Sequence, residues 1–282
     1  MPNTGDVSPQ RRLRQFVAEH KKLLVLTGAG VSTRSGIPDY RDEKGDWKRS
    51  APMQFNDFVG NAASRQRYWA RSMIGWPRVK LADPNDAHRA LSALERSGHI
   101  QMLVTQNVDR LHQRAGSRHV IDLHGRLDQV ECLDNKHVQS RDSYQAQLMA
   151  ANPSWQSMEA TTAPDGDADL DDVDFGSFVV APCVTCGNVV KPKVVFYGES
   201  IPREVTLAAN AALDDADALL VIGSSLMVFS GFRFARTMSQ TGRPVAMLNR
   251  GVTRADDLLD LKIEADIART LASLNHEMRE PL

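Results

Sequence analysis

Cysteine is scarce in this chain: three residues out of 282, two of them in one Cys-x-x-Cys. So few thiols exclude a disulfide scaffold and fit a reducing compartment with metal or redox chemistry. An excess of one charge sign is missing too. With 34 basic and 35 acidic side chains, there is no electrostatic reason to expect nucleic acid or an anionic membrane as a partner. No apolar run approaches the roughly 18 residues of a membrane span. The polar opening "MPNTGDVSPQRRLRQF" lacks the apolar core of a secretory signal. These absences point to the cytoplasm. The hydrophobic share of 42% is that of an ordinary globular protein, so the length allows one large domain with an appendage or two modest ones.

The apolar residues are distributed in a repeating way. "SPQRRLRQFVAEH" reads as a short amphipathic helix with Ser8 as N-cap and Pro9 at its first position. "KLLVLT" is a continuous apolar run followed by glycine, the pattern of a strand buried on both faces. "NDAHRALSALERSGHI" reads as a helix from an Asn85 or Asp86 cap to Gly98, and it feeds a second apolar strand, "IQMLVTQ". "DADALLVIGSSL" and "RPVAMLNRG" repeat the design, each an apolar strand ending in Gly, Ser or Asn. Helices alternating with apolar strands predict an α/β protein with a Rossmann-like parallel sheet, its ligands at the carboxyl ends of the strands. Two stretches break the pattern. Residues 42–80 have helical spacing, aromatics and arginines but no buried strand; residues 126–190 hold all three cysteines and the acidic "APDGDADLDDVD". The expected organisation is a discontinuous domain of residues 1–41, 81–125 and 191–282, with a helical insertion at 42–80 and a small metal-binding module at 126–190.

Three motifs offer chemistry. Gly28-Ala29-Gly30, after the first strand, allows a tight turn and close backbone approach to a pyrophosphate. It is not the dinucleotide fingerprint, because Thr33 occupies the place of the third glycine. The continuation "SGIPDYRD" is too polar and proline-stiffened for a helix and looks like a loop over a cofactor. In "VTQNVDRLHQRAG", Gln106, Asn107 and Asp109 follow a strand end, where they suit either ribose and amide recognition or a turn and helix cap. In "VIDLHGR", His124 stands at a strand end before Gly125, a good place for a general base. His88, His99, His112 and His119 read as structural by comparison.

"TGAGVSTRSGIPDYRD", "TQNVDRLHQRAG", "LHG", "KPKVVFYGE", "GSSLMV" and "LNRG", in this order, resemble the sirtuin family of NAD-dependent protein deacylases over roughly residues 20–270. "RQRYWARSMIGWP", "NPSW" and "APDGD" resemble its class II branch. The resemblance implies that Gly28, Ala29, Gly30 and Ser32 take the pyrophosphate side of NAD, with Asp39, Tyr40 and Arg41 near nicotinamide. It places Gln106, Asn107 and Asp109 on the nicotinamide ribose and carboxamide, Gly223, Ser224, Ser225, Asn249 and Arg250 on phosphate and adenosine, and the backbone near Ile267 on adenine. Val194, Val195 and Phe196 are expected to present a strand edge to an acyl-lysine protein or peptide. The implied reaction has the acyl oxygen attack C1′ of the NAD ribose as nicotinamide leaves. His124, with Asn107 and Asp109 at hand, then activates a ribose hydroxyl, giving free lysine and O-acyl-ADP-ribose. Tyr68 and Arg71 form a Tyr-x-x-Arg pair one helical turn apart, which in a related branch binds an acidic acyl group. Mono-ADP-ribosyl transfer and a silent NAD sensor are the alternatives; the presence of His124, Asn107 and Asp109 speaks against the sensor.

The family also implies a structural zinc held by two Cys-x-x-Cys knuckles. Cys132, Cys183 and Cys186 stand where three ligands belong, while Asn135 stands at the fourth. A neutral amide is a poor zinc ligand. The expectation is zinc on three cysteines, with His137, Asp134 or water completing the site, or a module that has lost its metal.

Overall fold

Leu23–Thr27, the first strand (β1), is buried at every residue, as its unbroken apolar run requires. The computed structural model describes residues 8–48, 52–158, 161–162, 167–170 and 173–278. Residues 1–7 of the polar opening, 49–51 of the helical insertion, and 163–166 and 171–172 of the acidic stretch lie outside them. Helix α1 (Pro9–Glu19) opens where the Arg11 amide donates to the Ser8 hydroxyl. After β1 come α2 (Phe55–Gly60) and α3 (Ala62–Leu81), the second capped by Asn61. Helix α4 (Asp86–Arg96) starts with a reciprocal cap: the Ala87 amide donates to the Asn85 side chain, and the Asn85 amide donates to His88 Nδ1. Gly98 closes it at φ 81°.

The chain continues through β2 (Met102–Thr105), α5 (Leu111–Arg114), β3 (Val120–Asp122), β4 (Gly125–Cys132), β5 (Val138–Ser140) and α6 (Arg141–Ala151). Two short strands follow, β6 (Thr161–Thr162) and β7 (Ala168–Asp169), then β8 (Val190–Val194) and α7 (Arg203–Asp215). The last elements are β9 (Ala218–Ile222), α8 (Phe229–Gln240), β10 (Val245–Leu248), β11 (Leu261–Ile263) and α9 (Ile267–Glu277).

Six strands form a parallel sheet in the order β3-β2-β1-β9-β10-β11, the Rossmann-like arrangement expected. Side chains along β1 alternate between two cores, as a period of two demands. Leu23 and Val25 pack with Leu13, Leu91 and Leu271 of α1, α4 and α9, whereas Leu24 and Leu26 pack with Leu213 and Phe234 of α7 and α8. Chain order reverses between β1 and β9, so a crevice opens there at the carboxyl ends of the strands.

The second, smaller sheet is antiparallel, in the order β5-β4-β8. Because β8 pairs with β4, the strand that crosses the boundary drawn at 190/191 belongs with this sheet. The helical insertion and the small sheet share one core, in which Phe58, Tyr68 and Trp69 of α2 and α3 meet Val130, Tyr144 and Phe196. Arg141 is buried in the same region; its guanidinium donates to the Ser72 carbonyl (3.0 Å) and lies over the Trp69 and Trp76 rings. No helix of the described residues is long and apolar enough to cross a membrane.

Candidate active site

The loops after β1 and β9 meet in the crevice. Gly28 N donates to the Ile222 carbonyl (3.1 Å) and Gly30 N to the Gly223 carbonyl (2.9 Å). A Cβ on Gly28 would come within 2.7 Å of Ser224 Cβ and 2.8 Å of Gly223 O, and one on Gly30 within 3.0 Å of Gly223 Cα. The two glycines are thus required by the approach of two backbones. Residues Ala29–Val31 and Thr33–Ser35 form two short 3₁₀ turns, and Gly36 closes the second at φ 83°. No long helix follows β1, which is why the spacing departs from the dinucleotide fingerprint.

A cavity of about 620 Å³ opens over this junction, within the range of roughly 300–1,000 Å³ usual for small-molecule sites. Nearly every anticipated site residue reaches it. Gly28, Ala29, Gly30 and Ser32 line it from the end of β1, and Asp39, Tyr40 and Arg41 from the following loop. Gln106, Asn107 and Asp109 enter from β2, and His124 from beyond β3. Gly223, Ser224 and Ser225 come from β9, Asn249 and Arg250 from β10, and Ile267 from α9. Val194, Val195, Phe196 and Tyr68 form the wall nearest the small sheet, while Arg71 is not among the lining residues.

The polar side chains are tied together before any ligand arrives. Ser32 Oγ donates to Asp109 Oδ2 at 2.6 Å and accepts from Asn107 Nδ2 at 3.1 Å; the same amide reaches the Gly28 carbonyl. Gln106 Nε2 donates to Ser224 Oγ (2.8 Å), bridging β2 and β9. Burial pushes the Asp109 carboxyl up, opposed by hydrogen bonds from Ser32 and the Leu111 amide. Beneath this layer lie His88 and His112, two of the histidines expected from the sequence to be structural. They are buried, with ring centroids 4.8 Å apart. Burial lowers His88 to about 4 and His112 well below its ordinary value. Sequence alone gives no sign of this pairing, which depends on α4 docking against α5.

His124 Nδ1 lies 3.1 Å from the Gln106 carbonyl oxygen, and Nε2 lies 2.8 Å from Ser230 Oγ. A carbonyl can only accept, so the proton sits on Nδ1 and the Nε2 lone pair takes the Ser230 hydroxyl. Burial lowers His124 to about 4, against the smaller opposing pull of the Gln106 carbonyl. At neutral pH it is an uncharged imidazole with a basic nitrogen. Ser230 was missed by the sequence reading; its only local signal is a polar residue breaking the apolar "LMVF" run at a helix start.

β8 is an outer strand of the small sheet. Lys191, 2% exposed, donates to the Val194 carbonyl (2.7 Å) and pairs with Glu131 and Glu199. Glu199 in turn accepts from the Phe196 amide (2.9 Å), and Val195 N donates to the His124 carbonyl (2.8 Å). The Val194–Phe196 edge and the His124 backbone are therefore one hydrogen-bonded unit.

Away from the cavity, Cys132, His137, Cys183 and Cys186 bring their ligand atoms within 4.8 Å of one another. Cys132 Sγ is 3.5 Å from Cys186 Sγ, and Cys183 Sγ is 3.7 Å from His137 Nδ1. Zinc–sulfur bonds of about 2.3 Å in a tetrahedron put neighbouring sulfurs about 3.8 Å apart, so these donors fit zinc. The two hairpins share one backbone plan. Cys132 N donates to His137 O and Lys136 N to Cys132 O; Cys183 N donates to Asn188 O and Gly187 N to Cys183 O. Lys136 and Gly187 both adopt positive φ, 55° and 76°. In the second hairpin the next ligand is the third residue after cysteine, whereas in the first that place is the exposed Asn135 and the fifth residue, His137, supplies the nitrogen. Of the two side chains, His137 and Asp134, His137 is the one in the cluster.

A family model described as "Sir2 family" matches residues 28–230. A protein of Xanthomonas axonopodis pv. citri named NAD-dependent protein deacetylase is 58% identical over 263 residues, covering 93% of this chain and 90% of that protein. Among solved structures, a Sir2 homologue in complex with NAD superposes with TM-score 0.73 at 30% identity, covering 95% of this chain and 93% of the other. Sir2Tm bound to a propionylated peptide gives TM-score 0.75 at 26% identity, covering 96% and 98%.

Proposed function

Because this chain belongs to the Sir2 family, we propose that it is an NAD-dependent protein lysine deacylase acting on acyl-lysine proteins or peptides. The observation that carries the reading is the placement of His124, its Nδ1 at the Gln106 carbonyl and its Nε2 facing Ser230 in the wall of the cavity that the strand-end glycines also line. When bound, NAD supplies the C1′ carbon that accepts the acyl oxygen as nicotinamide leaves. In our reading Gly28, Ala29, Gly30, Ser32 and Gly223–Ser225 take its phosphates, since the fused loops leave no room for side chains between them. Asn249, Arg250 and Ile267 hold the adenosine half, while Asp39, Tyr40 and Arg41 close over nicotinamide. Asn107 and Asp109, pre-set through Ser32, orient the ribose. His124 Nε2 takes a proton from a ribose hydroxyl, so that the acyl group leaves on the sugar.

The Val194–Phe196 edge offers backbone pairing to the peptide. Tyr68 walls the acyl end, and an acidic acyl group (succinyl or glutaryl) requires the Arg71 guanidinium to reach it. Assays of acetyl, succinyl and longer acyl-lysine peptides decide this; a strong acetyl preference unchanged by Arg71→Met removes the acidic-acyl reading. Zinc on Cys132, His137, Cys183 and Cys186 is structural in this account, tying β4 and β5 to the segment before β8. We place the protein in the cytoplasm on its reduced cysteines.

The test is an NAD-dependent deacylation assay on an acyl-peptide panel with His124→Ala as control. Wild type should release nicotinamide and deacylated peptide, and the variant should not. Gain of ADP-ribose mass on a protein without acyl loss would favour mono-ADP-ribosyl transfer. A wild type as inert as His124→Ala that still binds NAD would leave the sensor reading.

A further inference from the structure

The deacylase reading needs His124 Nε2 free for a ribose hydroxyl, yet a side chain 106 residues away already holds it. Ser230 stands on the first turn of α8, with its Oγ 2.8 Å from that nitrogen. The approach is built into the fold. The next residue, Gly231, packs so closely on Gln106 that a Cβ there would fall 2.5 Å from Gln106 Oε1. The Gln106 backbone carbonyl holds His124 Nδ1, and Arg233 Nε donates to the Ser230 carbonyl at 3.3 Å. The start of α8, the end of β2 and His124 thus interlock, with a hydroxyl at the basic nitrogen.

A hydroxyl suits that position because it can reverse. Toward neutral imidazole it donates; toward imidazolium it rotates and accepts the Nε2 proton. The amino end of a helix opposes a positive charge nearby, and burial opposes it further, so an acceptor at Nε2 is what the charged ring lacks. No charged side chain is among the causes of the His124 shift, although Asp39 and Arg41 after β1, Asp109 after β2, Glu199 after β8 and Arg250 after β10 line the same cavity.

We infer that Ser230 is a positioning residue for proton transfer at His124: its hydroxyl holds the Nδ1-protonated tautomer in place before the ribose arrives, and stabilises the imidazolium once Nε2 has taken the ribose proton. The inference rests on the deacylase reading. In the transfer itself the ribose O–H bond breaks, the Nε2–H bond forms, and the oxygen's electron pair bonds to the acyl carbon as the carbon–nitrogen π pair moves onto the lysine nitrogen; Ser230 keeps its own proton throughout.

The experiment uses the full chain with NAD and an acetyl-lysine peptide, comparing wild type, Ser230→Ala and Ser230→Thr. Nicotinamide exchange reports the step before the ribose hydroxyl acts, and complete deacylation reports the step after. Ser230→Ala should keep NAD affinity and exchange, lose about tenfold in kcat for deacylation, and shift the acid limb of its pH profile downward, since hydrogen bonds to charged groups are worth about that much. Ser230→Thr should restore both. The proposal is overturned if Ser230→Ala matches wild type, or if kcat falls with no movement of the acid limb and no rescue by threonine. Titration of the His124 ring by NMR in the same proteins needs no activity: a lower pKa in Ser230→Ala supports the proposal, and an unchanged one overturns it. An inert wild type with the lower pKa would refute the deacylase reading and leave the Ser230–His124 coupling standing.

Discussion

Acidification should destabilise this protein steeply below neutral pH, through histidines held neutral in its interior. His88 and His124 are each lowered from 6.5 to about 4 by burial, and His112 is lowered well below its ordinary value. Once unfolded, all three return to the ordinary histidine range, so between those limits the unfolded chain binds more protons than the folded one. Stability therefore rises with pH across this window: it is complete above the unfolded pKa and is lost as pH falls toward the folded values. For His88 and His124 the linkage relation gives about 2 kcal/mol each between pH 7 and pH 5, about 4 kcal/mol together. That is a large part of the roughly 5–15 kcal/mol that holds a domain folded. His112 acts in the same direction. Asp109 and Asp122, whose carboxyls are raised by burial, act in the opposite one, because the folded state takes up their protons first.

Urea titrations at neutral pH and at pH 5 measure this directly, with the slope against urea checked for constancy. Wild type should lose stability over this interval, and His124→Asn, which removes one titrating ring, should lose about 2 kcal/mol less than wild type. Equal stability at the two pH values would refute the argument, since the buried His88 and His112 and the half-buried His124 cannot then be held neutral by the fold. The same interval tests the chemistry: the acid limb for His124 should lie well below neutral pH in the free enzyme, so enzyme that is still folded at pH 5 should keep its activity.

Gly223 adopts φ 62° and a Cβ there would sit 2.6 Å from Val31 N, whereas Gly242 at φ 68° has nothing within 4 Å. Calorimetry should show Gly223→Ala losing NAD affinity by at least about tenfold through separation of the two loops, with Gly242→Ala binding normally and costing only about 1–2 kcal/mol of stability. His137→Ala should lower zinc content from one per chain to a fraction after mild chelation, while Asn135→Ala leaves it unchanged; metal analysis showing the reverse would return the fourth place to residue 135. Trp69, fully buried, touches Phe58, Tyr68 and Tyr144 and donates to the Val190 carbonyl. Trp69→Ala should cost about 3–5 kcal/mol in thermal or urea unfolding and raise KM for the peptide more than for NAD, because the lost packing lies behind β8.

What could be read from the sequence and what could not divide along a physical line. β1, β9 and β10 were legible because an apolar run buried on two faces is a local property, and the α4 caps because Asn85 and Gly98 act on their own backbone. The place of the cavity was legible for a related reason: in a parallel sheet, whatever follows each strand converges at one end, while the grouping of particular residues there came from the family resemblance. The misses are all contacts between segments far apart. His88 became half of a buried pair only when α5 brought His112 to it, and Ser230 met His124 across 106 positions. The metal module is the instructive case. Spacing pointed to residue 135 because the second hairpin takes its ligand three residues after cysteine, and the backbone does repeat that hairpin around Cys132. Yet a ligand is chosen by where a donor atom can reach, and with Lys136 in the left-handed region the next residue, His137, turns its ring toward the thiols. The hairpin could move its ligand two residues along without changing its hydrogen bonds, so backbone plan and ligand position vary independently here. A sequence pattern that binds the two together would read this site as broken, whereas its geometry is that of a complete four-donor cluster.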